Sequence, residues 1–315
     1  MTRAVSVPAP AKVNLLLRVL GRREDGFHEL ETLFQAIDFS DELTVELVGD
    51  AVELEVVGGD VGLVSDGLGP VVDDRGSAVD DLGPVMENLA FRAAEAYRLA
   101  ADLHSGVRIL LAKNIPAGAG LGGGSSDAAA VLRALNHLTD GAVAAETLLE
   151  VGADLGSDVP FFLCGSTLAL ARGRGEELTT LRSLPPADMV LVCPPVHVAT
   201  ARAYAALAKH RVSTGLRARA PLERVPSDWR MVDEIADNDF EALVANEYPE
   251  VRRALTSLRD AGLASVMLSG SGGACFGLAT DASHASSTAK RLREQLGWMV
   301  LAARTLDESP AVSAL

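Results

Sequence analysis

Residues 113–138 read KNIPAGAGLGGGSSDAAAVLRALNHL. An apolar strand pattern, GVRILLAKNIP, runs into this stretch, and an alanine-rich helical pattern, SSDAAAVLRALNHL, runs out of it. Between them lies a loop of Pro116, Ala117, Gly118, Ala119, Gly120, Leu121, Gly122, Gly123, Gly124, Ser125 and Ser126. Glycine lets backbone N–H groups approach a ligand with no side chain in the way, and it permits positive φ. A helix that starts directly after the loop adds free N–H groups and the positive end of its dipole. Ser125, Ser126 and Asp127 suit the first turn of that helix. The order of strand, glycine loop and helix therefore predicts a site for a di- or triphosphate. A Walker-type loop would place a lysine just before its Ser/Thr, and none stands here. A dinucleotide pattern can be laid on Gly118, Gly120 and Gly123, but nothing else in the chain accompanies it. The plain alternative is a flexible turn between strand and helix.

Working outward, 315 residues suggest two domains at one per ~150 residues. A hydrophobic fraction of 48% suits a compact core. No apolar run approaches the ~18 residues of a membrane span, and the start, MTRAVSVPAPAKVNLLL, lacks the pattern of a signal peptide. The cysteines, Cys164, Cys193 and Cys275, are odd in number and far apart. This fits a reducing cytoplasm, with neither a disulfide framework nor metal spacing. A net charge of −15 argues against nucleic-acid and membrane surfaces as partners. It leaves room for an anionic small molecule held by local N–H groups.

Residues 5–20 read as a strand pair interrupted by prolines. DELTVELV (41–48) and VELEVVG (52–58) alternate with period two, and the Gly-Asp between them predicts a hairpin. Residues 58–85 are rich in Gly and Asp, read as a surface loop, and suggest no function. Helices are predicted over 86–101, with a stripe of Leu89, Ala93, Ala96, Tyr97 and Ala100, and over AAETLLEVGADLG, TARAYAALAKHR, DFEALVANEYPEVRRALTSLRDAG and SSTAKRLREQLG. STLALARGRGEEL reads as a hairpin, and ADMVLVCPP, ASVMLSGSGGACFGLAT and WMVLAARTL as strands. Strands and helices mix without strict βαβ alternation, which predicts an α+β fold.

Further segments hold candidate functional residues. In PAKVNLLLRVLGRREDGFHELETLFQAID (10–38), Lys12 sits among apolar strand residues, where lysine is unusual. A strand lysine often extends its ammonium to the surface, and Asn14 and His28 have structural readings too. In GADLGSDVPFFLCGS (152–166), Asp158 follows a glycine helix stop and precedes VPFFL, read as a strand. It is a candidate part-buried carboxylate, or else a helix cap or Asx-turn residue. In LSGSGGACFGL (268–278), Gly270, Ser271 and Gly272 form either a second anion nest or an ordinary hairpin turn.

The loop PAGAGLGGGSSDAAAVLRALN closely resembles the nucleotide loop of the GHMP small-molecule kinases. Its triple glycine and double serine are similar to those of the 4-diphosphocytidyl-2-C-methyl-D-erythritol kinases of the non-mevalonate isoprenoid pathway. The resemblance runs from about residue 8 to about 305. Lys12, Asn14 and His28 match the family's Pro-Ala-Lys-x-Asn and Asp-Gly-Tyr-His segments, with Phe27 in place of the usual tyrosine. Asp158 matches the proposed catalytic base, Thr200 and Tyr204 in CPPVHVATARAY match substrate-contacting positions, and Asn88, Leu89 and Lys113 match positions near the adenine. The resemblance implies a two-domain GHMP kinase fold. Its N-terminal nucleotide domain, residues 1–182, would be ribosomal-protein-S5-domain-2-like. Its C-terminal domain, residues 183–315, would be an α/β-sandwich of the ferredoxin-like kind. It also implies ATP and Mg2+ as cofactors, with no dedicated metal-binding side chains, and a cytidine diphosphate derivative as substrate. Asp158 would accept the proton of the 2-hydroxyl that attacks the γ-phosphate, with Lys12 beside it. Phe27 and Tyr204 would stack on cytosine and His28 would read its edge, while Gly270, Ser271 and Gly272 would approach the phosphates and the acceptor. The expected state is a cytoplasmic monomer or homodimer. Another GHMP kinase, of homoserine or mevalonate type, is the enzyme alternative, and the His28 segment argues against it because those substrates carry no cytosine. A nucleotide-binding regulator on the same fold is the non-enzyme alternative, and the retention of both Lys12 and Asp158 argues against that. A dehydrogenase is more distant and would be excluded by failure to bind NAD(H).

Overall fold

A computed structural model describes residues 4–22, 28–58, 85–173, 175, 177–214 and 221–315. Phe27, most of the 58–85 segment and the side chain of His28 lie outside the described residues. The elements are β1 (Ala4–Arg22), β2 (His28–Leu47), β3 (Val52–Gly58), α1 (Leu89–Ala100), β4 (Val107–Lys113), α2 (Gly123–Leu138), α3 (Ala145–Leu155), α4 (Val159–Leu163), β5 (Leu168–Gly173) and β6 (Glu177–Thr180). They continue with β7 (Asp188–Cys193), α5 (Thr200–Thr214), α6 (Trp229–Ile235), β8 (Asp237–Asn238), α7 (Glu241–Glu247), α8 (Pro249–Asp260), β9 (Ala264–Leu268), β10 (Cys275–Leu278), α9 (Ala282–Leu296), β11 (Met299–Arg304) and β12 (Ser313–Ala314). The fold is α+β, as the mixed order predicts.

The larger sheet runs β12-β1-β2-β4-β3, with β5 on β2, β6 on β5 and β8 on β1. The expected strand pair over residues 5–20 is one strand, β1, antiparallel to β2 with register shifts near Lys12, Asn14 and Val19. The prolines do not break it. The Lys12 amide points away from β2 and donates to the Leu121 carbonyl at 2.9 Å. The Ala4 carbonyl also points away from β2, accepting from Leu315 N–H at 3.1 Å, and along the regular run from Ala4 to Pro10 the prolines at 8 and 10 share that orientation, so neither removes a rung to β2.

The expected hairpin between β2 and β3 does not form. Strand β4 lies between them, antiparallel to β2 and parallel to β3. Val107, Ile109 and Leu111 of β4 are fully buried, so tertiary packing outweighs a local turn signal. VPFFL is a short helix, α4, rather than a strand, with Pro160 in its first turn where a missing N–H is tolerated. The segment read as one long helix after Asp239 breaks at Tyr248 into α7 and α8, with Pro249 opening the second. The face α1 buries is Ala90, Ala93, Ala94 and Tyr97, so the observed stripe is turned relative to the expected one.

The smaller sheet runs β11-β7-β10-β9, all antiparallel. Three buried clusters organise the packing. One lies between the larger sheet and helices α1–α4, and includes Val7, Tyr97, Val131 and Phe161. A second packs α7, α8 and α9 on the smaller sheet through Phe240, Leu258, Cys275 and Leu292. The third joins the two sheets through Val13, Leu15, Ile37, Leu191 and Phe276. It carries the catalytic candidate strand β1 against the smaller sheet.

Candidate active site

A cleft of about 1030 Å3 is lined by the glycine loop, β1, the start of α5 and the turn after β9. The loop enters α2 through Gly122, which sits at φ 73° in the left-handed region and offers no side-chain cap. A Cβ there would lie 3.1 Å from the Lys12 side chain and 3.2 Å from Phe162. A side chain at Gly122 is therefore disfavoured by sterics as well as by backbone conformation. The first N–H groups of α2 are left free at the cleft, an arrangement that favours an anion.

Lys12 is 3% exposed. Its ammonium donates to Asn14 Oδ1 at 2.7 Å and to the Gly120 carbonyl at 3.0 Å. It stands 3.5 Å from Asp158 Oδ2 and 5.3 Å from the centre of the Phe34 ring. Burial lowers its pKa, and Asp158 opposes that shift only in part. Lys12 is thus a fixed, buried cation at the cleft rather than a lysine extended to the surface. Asn14 is anchored in turn by Thr32, whose hydroxyl donates to the Leu16 carbonyl at 2.7 Å.

Asp158 occupies the residue before α4, yet its side chain caps nothing. Its backbone is in the αR region (φ −87°, ψ −13°), not the extended conformation of a capping residue. The carboxylate faces the cleft beside Lys12 instead, which removes the capping alternative. Tyr204 also lines the cleft, and its ring packs edge-on to Phe240 at 4.8 Å. Burial first, and Asp158 second, raise the pKa of its hydroxyl.

The two glycine-rich turns touch. Ala274 N–H donates to the Ala119 carbonyl at 2.9 Å, and Ser269 Oγ to the Gly120 carbonyl at 3.0 Å. A Cβ on Gly272 would meet the Gly118 carbonyl and the Gly120 nitrogen at 2.8 Å. Ser271 Oγ donates to Thr200 Oγ1 at 3.1 Å, which ties the second turn to α5. The lining includes Gly270, Ser271, Thr200 and Ser125. Gly272 packs behind, and Ser126 is buried with its hydroxyl unpartnered among the described residues.

At the other end, Asn88 and Leu89 line the cleft, with Leu89 against Gly124. Asn88 also has a structural task, accepting from Ala90 N–H at 2.9 Å to cap α1. Lys113 lines the cleft too, but its ammonium is held between Asp41 and Asp127, the latter at 2.8 Å. Burial lowers its pKa, but Asp127 and Asp41 together outweigh that and raise it. Asp41 also accepts from the N–H groups of Asn114 and Ile115. Among the described residues, Asp127 has one buried oxygen without a partner. Burial accordingly raises its pKa to about 7, with Asp41 adding to the shift and Lys113 opposing it.

Thr32, Phe34, Asp41, Asp127 and His197, whose imidazole packs on Gly118, were not singled out as site residues in the sequence. Thr32 and Phe34 share the period-two face that carries Leu30, and that alternation was the available signal.

Comparisons with known proteins place the chain in a family. The description "GHMP kinases N terminal domain" matches residues 88–166, and "GHMP kinases C terminal" matches residues 218–297. A 4-diphosphocytidyl-2-C-methyl-D-erythritol kinase of Geobacter metallireducens is 39% identical, over 96% of this chain and 99% of that one. A crystal structure of 4-(cytidine 5'-diphospho)-2C-methyl-D-erythritol kinase is 36% identical, with a TM-score of 0.72 over 95% of this chain and 98% of that one. A homoserine kinase structure from Cytophaga hutchinsonii shares the fold at 20% identity, with a TM-score of 0.67 over 98% and 97% of the two chains. Fold and cleft together define a GHMP-type small-molecule kinase. Within that class, the chain belongs to the 4-diphosphocytidyl-2-C-methyl-D-erythritol kinase family.

Proposed function

We propose that this enzyme transfers the γ-phosphoryl group of ATP to the 2-hydroxyl of 4-diphosphocytidyl-2-C-methyl-D-erythritol, releasing the 2-phosphate product and ADP in the isoprenoid precursor pathway. The observation that carries the reading is the Lys12–Asp158 pair, 3.5 Å apart at the mouth of a glycine-loop cleft. The new bond forms between the acceptor oxygen and phosphorus, the bond from phosphorus to the β-phosphate oxygen breaks, and Asp158 takes the hydroxyl proton. Lys12 favours negative charge developing on the acceptor oxygen. Because Asn14 and the Gly120 carbonyl fix its ammonium, little reorganisation is needed during transfer. The glycine loop and the α2 N-terminus hold the phosphates for in-line attack, so positioning and electrostatics carry most of the catalysis.

The glycine cradle and free helix N–H groups fit a triphosphate, and Ser125 offers a hydroxyl for Mg2+ alongside phosphate oxygens, a donor set that suits a hard cation. Mg2+ held there would supply positive charge against the phosphate oxygens. Asn88, Leu89 and Lys113 form the nucleoside end of the cleft, and Thr200, Gly270 and Ser271 the acceptor end, with Gly272 backing the loop. Phe27 and Tyr204 stack on cytosine and His28 reads its edge. Replacing Phe27 by Ala should raise the acceptor KM far more than Phe27→Tyr, and equal effects would remove stacking from the reading. We place the domain division at 182/183, just ahead of β7, and the protein in the cytoplasm as a monomer or homodimer.

An ADP-release assay with the diphosphocytidyl acceptor tests the function. Asp158→Asn should lower kcat by about 10²–10⁴. Full activity in that variant, or no acceptor-dependent ADP release by the unmodified enzyme, would sink the proposal.

A further inference from the structure

We propose that Asn238 is a positioning residue for phosphoryl transfer, one that holds the 269–273 turn in register with Lys12 and the glycine loop; the inference rests on the kinase reading of the cleft. Asn238 belongs to β8, a two-residue strand that pairs in parallel with Leu16 and Leu17 of β1. It is 7% exposed and does not line the catalytic cleft. Its Nδ2 donates to the carbonyls of Leu268 at 2.9 Å and Gly270 at 2.8 Å, and its Oδ1 accepts from Phe240 N–H at 2.9 Å. Two carbonyls can only accept and an N–H can only donate, so the three partners fix which way the amide faces. No other uncharged side chain of this size satisfies all three.

The neighbouring residues clamp the same junction. Asp239 N–H donates to the Leu17 carbonyl at 3.0 Å, and Asp239 Oδ2 accepts from Val19 N–H at 2.7 Å. Arg211 of α5 donates to the Val19 carbonyl at 2.6 Å and to Asp239 at 2.7 Å. The 237–239 tripeptide therefore joins β1, the second glycine turn and α5, which between them supply Lys12, Gly270 and Tyr204. Phe240, held through Asn238 Oδ1, is the ring that supports Tyr204.

The connection to the reacting centre is short. Gly270 sits at φ 59°, and a Cβ there would lie 3.0 Å from the Gly120 carbonyl and 3.5 Å from Lys12 Nζ. The Gly120 carbonyl accepts from both Lys12 and Ser269. A shift of the Gly270 carbonyl therefore passes directly to the oxygen that orients the Lys12 ammonium. Asn238 touches neither substrate, so its loss should act on the rate of transfer more than on binding.

The test compares Asn238→Asp, Asn238→Ala and Asn238→Ser in the full-length enzyme. Asn238→Asp keeps the volume and the acceptor for Phe240 but sets carboxylate lone pairs against two carbonyls. Asn238→Ser retains one donor. Each is assayed for acceptor-dependent ADP release well below its own melting midpoint. We expect kcat to fall about 100-fold in Asn238→Asp and Asn238→Ala, the scale of a misplacement near 1 Å. Both KM values should change less than about threefold, and Asn238→Ser should recover part of the rate. A kcat within about twofold of the unmodified enzyme in any folded Asp or Ala variant, or a loss confined to KM, overturns the inference alone. An unmodified enzyme that shows no acceptor-dependent turnover overturns the kinase reading and this inference with it.

Discussion

Two buried lysines flank the glycine loop and are put to opposite uses. Lys12 is 3% exposed and Lys113 7%, so burial alone does not separate them. Among the described residues, Lys12 has one carboxylate partner, Asp158, at 3.5 Å, and that partner is partly open to the cleft. Lys113 has two, Asp41 and Asp127, both buried behind the loop. Desolvation dominates at Lys12 and lowers its pKa, whereas the two carboxylates dominate at Lys113 and raise it. The difference teaches that the number and burial of counter-charges decide a lysine's role. Lys12 keeps an incompletely compensated charge at the cleft, where the proposed transfer would use one, and Lys113 has its charge cancelled behind the loop.

The sharpest way to break this division is Lys12→Met. It should lower kcat by about 10²–10³, the range for losing one donor that stabilises developing negative charge. Its thermal melting point should hold or rise, since a buried and poorly compensated charge is gone. Lys113→Met should do the reverse to the fold. Leaving Asp41 and Asp127 buried without their cation should cost about 3–5 kcal/mol in a urea titration. A stable Lys113→Met protein would show that the ion cluster is not what fixes the loop.

The pH dependence sharpens the comparison further. The unfolded chain holds the Lys12 proton up to about 10.5, and the folded chain releases it earlier. Stability from this group therefore rises with pH through the window below 10.5, while activity falls across the same window. The kcat profile should show an alkaline limb there, absent from Lys12→Arg, whose guanidinium stays charged. A pH effect of opposite sign is expected at Asp127. Its carboxyl ionises near 3.8 when unfolded and at about 7 when folded, so between these values the folded state binds more protons. Stability from this group is then lost as pH rises through that window, at no more than about 1.4 kcal/mol per pH unit. Asp127→Asn should flatten that slope in denaturant titrations, and an unchanged slope would place the proton elsewhere in the cluster.

Much of the site was legible along the chain because its parts are local. The glycine loop, its helix and the second turn are each a short run whose backbone chemistry is written in neighbouring residues. Lys12 stood out as a lysine within an apolar strand. Asp158 was legible as a carboxylate beside a helix stop, but its side chain was not. VPFFL turned out to be a helix, and its position against α2 and α3 leaves Asp158 beside Lys12 instead of at a cap. Lys113 was expected as a nucleotide contact, and its two carboxylate partners come from β2 and α2, far apart in sequence. The β2–β3 hairpin failed for a related reason, since Gly49-Asp50 encodes a turn but says nothing about which strand occupies the space beside β2.

The sequence by itself determined the mixed α+β architecture and the glycine loop with its following helix, because these depend on residue type and short-range backbone preference, and it put forward Lys12 and Asp158 only as candidates. The tertiary structure alone decided that β4 separates β2 from β3, that Asn238 holds the second turn, and that one buried lysine is poised while the other is neutralised. Those outcomes depend on burial and on charges brought together across long stretches of chain, and Coulomb energy and desolvation are functions of distance in space rather than distance in sequence.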